Sequence, residues 1–207
     1  MIYLIGGPPK CGKTTLAKRL LKSKGIPWVS TDTLQSVIKP YINKKDFPEK
    51  FPTSHQRGKD NDEKYSKYSS DEIISAYQQQ AKTAYQAIDM FALSEITEKN
   101  DFVIEGYHIE PKLADELNTK YPDKTRCIFL IRPDKEKFVS DAKKSSTPND
   151  WVIERTKNKE TYGKIASMIC EYGKIFEKES EKYGYKIMNM DNDFDSQIDK
   201  AINYLVS

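Results

Sequence analysis

Short apolar runs alternate along the chain with longer stretches in which apolar residues return every three or four positions. That pattern predicts a parallel sheet covered by helices on both faces. Ile2 to Ile5 reads as a first strand, and Thr14 to Lys24 as a helix with Leu16, Leu20 and Leu21 on one face and Gly25 at its end. Trp28 to Ser30 follows Pro27 as a short second strand. Thr31 or Asp32 then caps a helix containing Leu34, Val37 and Ile38, which Pro40 stops.

Residues 41–70 break the rhythm. Pro48, Pro52, many lysines and scattered aromatics without steady periodicity predict an inserted, partly irregular segment. Ser69 with Glu72 then forms a capping-box pattern, and Ile74, Tyr77, Ala81, Ala84, Ile88 and Phe91 mark one face of a long helix reaching about Glu98. Phe102 to Glu105, closed by Gly106, and Arg126 to Ile131 are strands too apolar for a sheet edge, with a helix around Leu113 and Leu117 between them. Phe138 and Val139 belong to a further helix, and Ser145 to Asp150 is rich in turn formers. Ile165, Met168, Ile169, Tyr172, Ile175 and Phe176 line a long helix ended by Gly184. Tyr185 to Met190 is the last strand, and Phe194, Ile198, Ile202 and Leu205 share a face of a terminal helix. Five strands with intervening helices result, with no internal repeat and no dividing linker.

A chain of 207 residues suits one domain with elaborations. The expected organisation is one domain over 1–207, with 41–70 an acceptor-binding insertion and 141–158 a lid region. Lys and Arg number 34 against 31 Asp and Glu, a net charge of +3, which argues against a nucleic-acid partner. Arginine occurs only at Arg19, Arg57, Arg126, Arg132 and Arg155, so these are the candidates for bidentate phosphate contacts. Cys11, Cys127 and Cys170 fit neither a metal-ligand spacing nor a disulfide framework, as expected in a reducing cytoplasm. The start MIYLIGG does not read as a secretion signal, and no stretch approaches the length of a membrane span. The expectation is a cytoplasmic protein without a membrane partner, monomeric or dimeric.

Between the first strand and first helix stands GPPKCGKT, in which Gly7, Gly12, Lys13 and Thr14 satisfy the pattern G-x-x-x-x-G-K-S/T. Such a loop turns backbone N–H groups inward around phosphates, and the helix N-terminus adds a positive field. Lys13 is expected to reach the terminal phosphates of ATP, and the Thr14 hydroxyl to coordinate Mg2+. Pro8, Pro9, Lys10, Cys11 and Thr15 complete the nucleotide-binding stretch. The bland alternative, a rigid Gly-Gly-Pro-Pro turn beside a surface lysine, leaves the strand–loop–helix setting unexplained. The thiol of Cys11 is either activated by the positive field or simply a small side chain tolerated there.

Ligands of open parallel sheets collect beyond the carboxyl ends of the strands, which points to Asp32, Glu105 and Arg132. Asp32 serves either as the group that accepts a proton from an acceptor hydroxyl, or orients magnesium through water, or as a helix N-cap. A carboxylate closing the apolar run to Glu105 is costly unless it meets polar partners, which favours a place near magnesium or substrate. His108 contacts the acceptor or is structural, and Arg132 lies along the base or ribose or is a surface residue. The Lys143 to Arg155 region fits a lid, with Arg155 the preferred cation ahead of Lys144 and Lys143; a solvated helix face gives the same letters.

GPPKCGKTTLAKRL, VSTDTLQSVI and FVIEGYHIEP together resemble the adenylate-kinase-like P-loop kinases, and 2-phosphoglycerate kinases in particular. The resemblance implies a five-stranded sheet with the phosphate-loop strand central, ATP as donor, and acceptor binding by the segment after the second strand. It also implies roles for Asp32, Glu105, Gly106 and His108. Where those families carry an arginine for the acceptor's phosphate, this chain has Gln35, which supplies neither the charge nor the fork. A phosphorylated acceptor then requires Arg57 or the inserted lysines as substitutes. The expected activity is transfer of the terminal phosphoryl group of ATP to a small-molecule hydroxyl. The alternatives are a regulatory ATPase that uses 41–70 to contact a partner protein, a nucleoside monophosphate kinase and a nucleic-acid-end kinase.

Overall fold

Ile2–Gly6 forms β1, and every residue in it is buried, as a strand flanked and covered on all sides requires. The structure is a computed structural model and describes residues 1–144 and 150–207. After β1 come α1 (Lys13–Lys24), β2 (Trp28–Ser30) and α2 (Thr31–Ile38). Ser30 caps α2, its Oγ accepting from the Asp32 amide at 3.2 Å, so neither Thr31 nor Asp32 is the cap. The expected cap fails because the helix already begins at Thr31, directly after the strand, and the side chain of Asp32 is left available for other work.

Residues 39–67 are less irregular than their sequence implies. Two single 3-10 turns lead into α3 (Phe47–Lys50), α4 (Pro52–His55) and α5 (Asn61–Lys67). Pro48 and Pro52 act as starters in the first turn of α3 and α4, where a missing N–H costs nothing. The predicted capping box at Ser69 and Glu72 opens α6 (Ser70–Thr97). Its stripe is buried at Ile74, Ala81, Ala84 and Ile88, with Gln80 a buried polar residue among them. Next come β3 (Phe102–Glu105), α7 (Pro111–Lys120), β4 (Thr125–Ile131), α8 (Lys135–Lys144) and α9 (Trp151–Glu154), a single turn not expected from the sequence. Finally α10 (Lys159–Tyr183), β5 (Lys186–Asn189) and α11 (Phe194–Val206) close the chain. Most of the expected turn at 145–150, and the middle of the expected lid, lie outside the described residues.

The sheet is parallel throughout, in the order β2-β3-β1-β4-β5. β1 is central, as expected, and β3 and β4 are interior. Ile5 pairs with Glu105 and Ser30 with Glu105, so three strand ends align at one edge. That edge carries the phosphate loop, the start of α2 and Glu105, which is how the fold gathers residues far apart in sequence.

The insertion and the segment after residue 149 are stitched into one wall. Asn61 N–H donates to the Arg155 carbonyl at 2.8 Å, and Asn61 Nδ2 to Trp151 O and Thr156 Oγ1, both at 2.9 Å. Asp62 accepts from the amides of Lys157 and Asn158. Among the described residues no helix is long and apolar enough to cross a membrane.

Candidate active site

The phosphate loop leaves β1 at Gly7, whose φ of +130° and contacts exclude any side chain: an added Cβ would lie 2.1 Å from the Leu130 carbonyl oxygen. Lys13 opens α1 and is buried, its Nζ donating back across the loop to Pro8 O at 2.5 Å. Thr14 Oγ1 donates to Glu105 Oε1 at 2.8 Å. Lys10 reaches outward instead, to Asp150 Oδ2 at 2.6 Å, and Asp150 also caps α9.

Two cavities meet at this loop. One, of about 480 Å³, runs from Lys13 and Thr14 past Asp32 and Glu105 to Gln35, Arg57, Lys64 and Arg155. The other, of about 850 Å³, runs from Gly12 and Thr15 to Arg132, Asp191 and Phe194. Lys10, Lys13 and Thr14 line both. Of the residues singled out in the sequence, the first cavity gathers Pro9, Lys10, Asp32, Gln35, Arg57, Glu105 and Arg155 with the loop. Lys144 lines the second cavity and Lys143 neither; the Lys143 ammonium lies over the Tyr162 ring instead.

The electrostatics at the loop end are those of two carboxylates facing one ammonium. Asp32 opens into the cleft and keeps 69% of its side-chain surface, yet the surrounding walls raise its carboxyl above the ordinary range, opposed by Lys13. Burial raises Glu105 likewise, with Lys13 and the Thr14 hydroxyl pulling the other way.

At two positions the structure favours the blander of the alternatives. Cys11 is fully buried, and burial pushes its thiol up to about 12 against the pull of Lys13 and Arg132, so the loop does not activate it. His108 is fully buried and does not line the cavity, so it makes no direct contact there. Burial, with Lys13 adding to it, brings its imidazole down to about 3. Gln35 Oε1 can only accept, so His108 Nε2 carries the proton and donates to it at 2.9 Å, while Nδ1 accepts from Thr31 Oγ1 at 2.7 Å. Gly106, at φ +155°, makes room for this pair, since a Cβ there would lie 1.7 Å from Thr31 Oγ1.

Gln80, not among the site residues expected from sequence, completes the network. Its Nε2 donates to Gln35 Oε1 at 2.9 Å and Tyr107 Oη at 2.8 Å, and its Oε1 accepts from the amide and hydroxyl of Thr53. Tyr77 and Tyr107, equally unexpected at the site, line the cavity, and so does Lys64, one of the inserted lysines that the sequence offered only as a group. The signals available were a glutamine inside an apolar stripe and a lysine beside Tyr65 on the short helix α5.

Arg132 faces the second cavity but is committed within the protein. Its Nε donates to Asp191 Oδ1 at 2.7 Å, a second nitrogen pairs with Asp141, and the guanidinium lies over the Phe138 ring. Arg155 faces the first cavity, and its guanidinium donates to the Arg57 and Gly58 carbonyls at 3.4 and 3.2 Å.

Solved structures resemble this architecture over nearly the whole chain. A sugar kinase from Janibacter sp. superposes with TM-score 0.54 at 12% identity, covering 99% of this chain and 93% of that one. A gluconokinase from Sinorhizobium meliloti does so with TM-score 0.53 at 10% identity, covering 98% and 90%. The fold is that of the P-loop kinases. A shikimate kinase from Bacteroides thetaiotaomicron gives TM-score 0.51 at 14% identity, covering 98% and 94%. At these identities the likeness to P-loop kinases is one of fold. No protein-family model matches the chain. An uncharacterized protein from Dictyostelium discoideum is 26% identical over 130 residues, which are 62% of this chain and 15% of that protein's length.

The site suits a magnesium–nucleotide on its own chemistry. The loop keeps a side-chain-free surface at Gly7, the buried Lys13 ammonium has a carbonyl as its hydrogen-bond partner, and Thr14 and Glu105 offer two oxygens side by side. Among the described residues no group of three or more His, Cys, Asp or Glu forms a metal cage. Mg2+ takes few protein oxygens and fills its sphere with water and phosphate, so this sparse donor set fits it.

Proposed function

We propose that this protein is a kinase that transfers the terminal phosphoryl group of ATP to a hydroxyl of a small molecule. The observation that carries the reading is that Lys10, Lys13 and Thr14 line two cavities at once, the first of which has two carboxylates at its loop end. A donor on one side and an acceptor on the other then meet at the phosphate loop. The likeness to 2-phosphoglycerate kinases in GPPKCGKTTLAKRL and FVIEGYHIEP is compatible with this reading.

In this reading the whole chain serves one kinase domain, and residues 41–70 face the acceptor. The loop amides, with Pro8, Pro9, Lys10, Cys11, Gly12 and Thr15, cradle the phosphates, and the Lys13 ammonium moves from Pro8 O to the terminal ones. Arg132, held by Asp191 and Asp141, forms a fixed wall on the nucleotide side. Thr14 and Glu105 would hold Mg2+, which would offset the charge of the phosphates. Asp32 takes the acceptor's hydroxyl proton on a carboxylate oxygen as the new O–P bond forms and ADP leaves. Gln35 orients the acceptor through its amide N–H groups, its carbonyl being committed to Gln80 and His108.

The test is ATP consumption measured with and without a panel of hydroxylated small molecules. Acceptor-dependent turnover is expected. Turnover indifferent to every acceptor would favour a regulatory ATPase.

A further inference from the structure

Among the described residues the buried Arg132 guanidinium meets a carboxylate, Asp191. Lys64 does not. It is 8% exposed on α5, and its ammonium lies 5.4 Å from the Tyr77 ring centroid and 5.9 Å from that of Tyr65. Among the described residues the charge acting on it is another cation, Arg155. Among the described residues Arg155 in turn bonds main-chain carbonyls alone, and Arg57 lines the same end of the cavity.

Charge is therefore sorted along the cavity. Asp32 and Glu105 stand at the sheet edge and face Lys13, while Lys64, Arg57 and Arg155, which pair with no carboxylate among the described residues, come from the insertion and from the segment after α9. Holding a desolvated ammonium beside a guanidinium costs stability unless something supplies the missing negative charge. Gln35 carries no charge to attract an anion, whereas the three cations lining the same cavity do.

We propose that Lys64, Arg57 and Arg155 form a receptor for an anionic group of the acceptor, making the acceptor a small hydroxylated carboxylate or phosphate monoester with its hydroxyl at Asp32. This rests on the kinase reading. The half-buried Trp151 and the ring of Tyr77 wall the space between the two ends. Burial, with Arg155 adding to it, brings the Lys64 ammonium down to about 8, so an arriving anion restores its proton. The groups that face Lys64 are Tyr65 on its own helix, Tyr77 on α6, Arg155 after α9 and, along the same cavity wall, Arg57.

Full-length protein saturated with magnesium and a non-hydrolysable ATP analogue, so that the phosphate loop is filled, is titrated calorimetrically with matched compounds. These are glycerol, glycerate and glycerol phosphate, then sorbitol, gluconate and sorbitol phosphate, with inorganic phosphate as the bare anion. At least one anion is expected to bind with proton uptake near pH 8, and the carboxylate and phosphate arms tell which group the receptor takes. Lys64→Met is expected to weaken that binding at least tenfold and Lys64→Arg to restore most of it. Lys64→Met should also melt at a higher temperature than the wild type, which shows that it folds. Equal binding of neutral and anionic compounds, binding of no anion at all, or unchanged binding by Lys64→Met would overturn the proposal. Phosphoryl transfer to neutral polyols alone would overturn the anion receptor and keep the kinase. Lys64-dependent anion binding with no transfer to any bound compound would sink the kinase reading and keep the receptor.

Discussion

Thr14 Oγ1 donates a 2.8 Å hydrogen bond to Glu105 Oε1, joining the first turn of α1 to the carboxyl end of β3 across 91 positions of sequence. The bond sets an oxygen pair where the Lys13 ammonium acts on Glu105, and on the proposed kinase reading a divalent ion and a phosphate chain would use it. Glu105→Gln keeps an acceptor for Thr14 and removes the charge. Because burial raises the Glu105 carboxyl, its ionisation opposes folding, and the stability this costs sets in as pH rises through the raised value. At neutral pH the variant should melt higher than the wild type while kcat falls about 10- to 100-fold. Steady-state kinetics and a thermal melt check the two halves.

Asp32 gives a pH profile. Its carboxyl is raised by the surrounding protein and must be ionised to accept a proton, so kcat/KM should fall on acidification at a pH above the ordinary aspartate range. Asp32→Asn should abolish that limb and lower kcat by about 10²- to 10⁴-fold. A limb that persists in the variant would assign the titration to another group, with Glu105 first in line.

His108 gives an acid-stability profile. Its folded value is depressed to about 3, below the unfolded value of about 6.5, so its contribution is present above the unfolded value and is lost as pH falls toward 3. Asp32 and Glu105, both raised, contribute in the opposite sense over part of the same range. The informative quantity is the difference between wild type and His108→Gln. The wild type should lose thermal stability more steeply between pH 6 and pH 4, by about 1.4 kcal/mol per pH unit at most.

The loop and the sheet were legible because their signals are local. Gly7, Gly12, Lys13 and Thr14 fall within one short stretch of sequence, and Glu105 and Asp32 sit where apolar runs stop. In the other half of the cavity Gln35, Arg57 and Arg155 were singled out, but Lys64 and Gln80 were not individually legible, because their places are made by packing. Lys64 becomes a cavity residue only when Asn61 and Asp62 dock α5 against residues 151–158, and Gln80 only when α6 turns it toward Gln35. His108 was legible only as a pair of alternatives. A histidine in a loop after a strand reads as an acceptor contact or as structural, and here it is buried between hydrogen bonds to Thr31 and Gln35.

The most direct measurement is transfer of label from γ-labelled ATP to a pool of hydroxylated small molecules, run with wild type and with Lys13→Met. A kinase at this loop predicts labelled product that requires magnesium and falls by at least about 100-fold in the variant, the scale expected when a charge-stabilising donor is lost. Equal labelling by both proteins, or ATP binding by the wild type with no labelled acceptor from the pool, would contradict it.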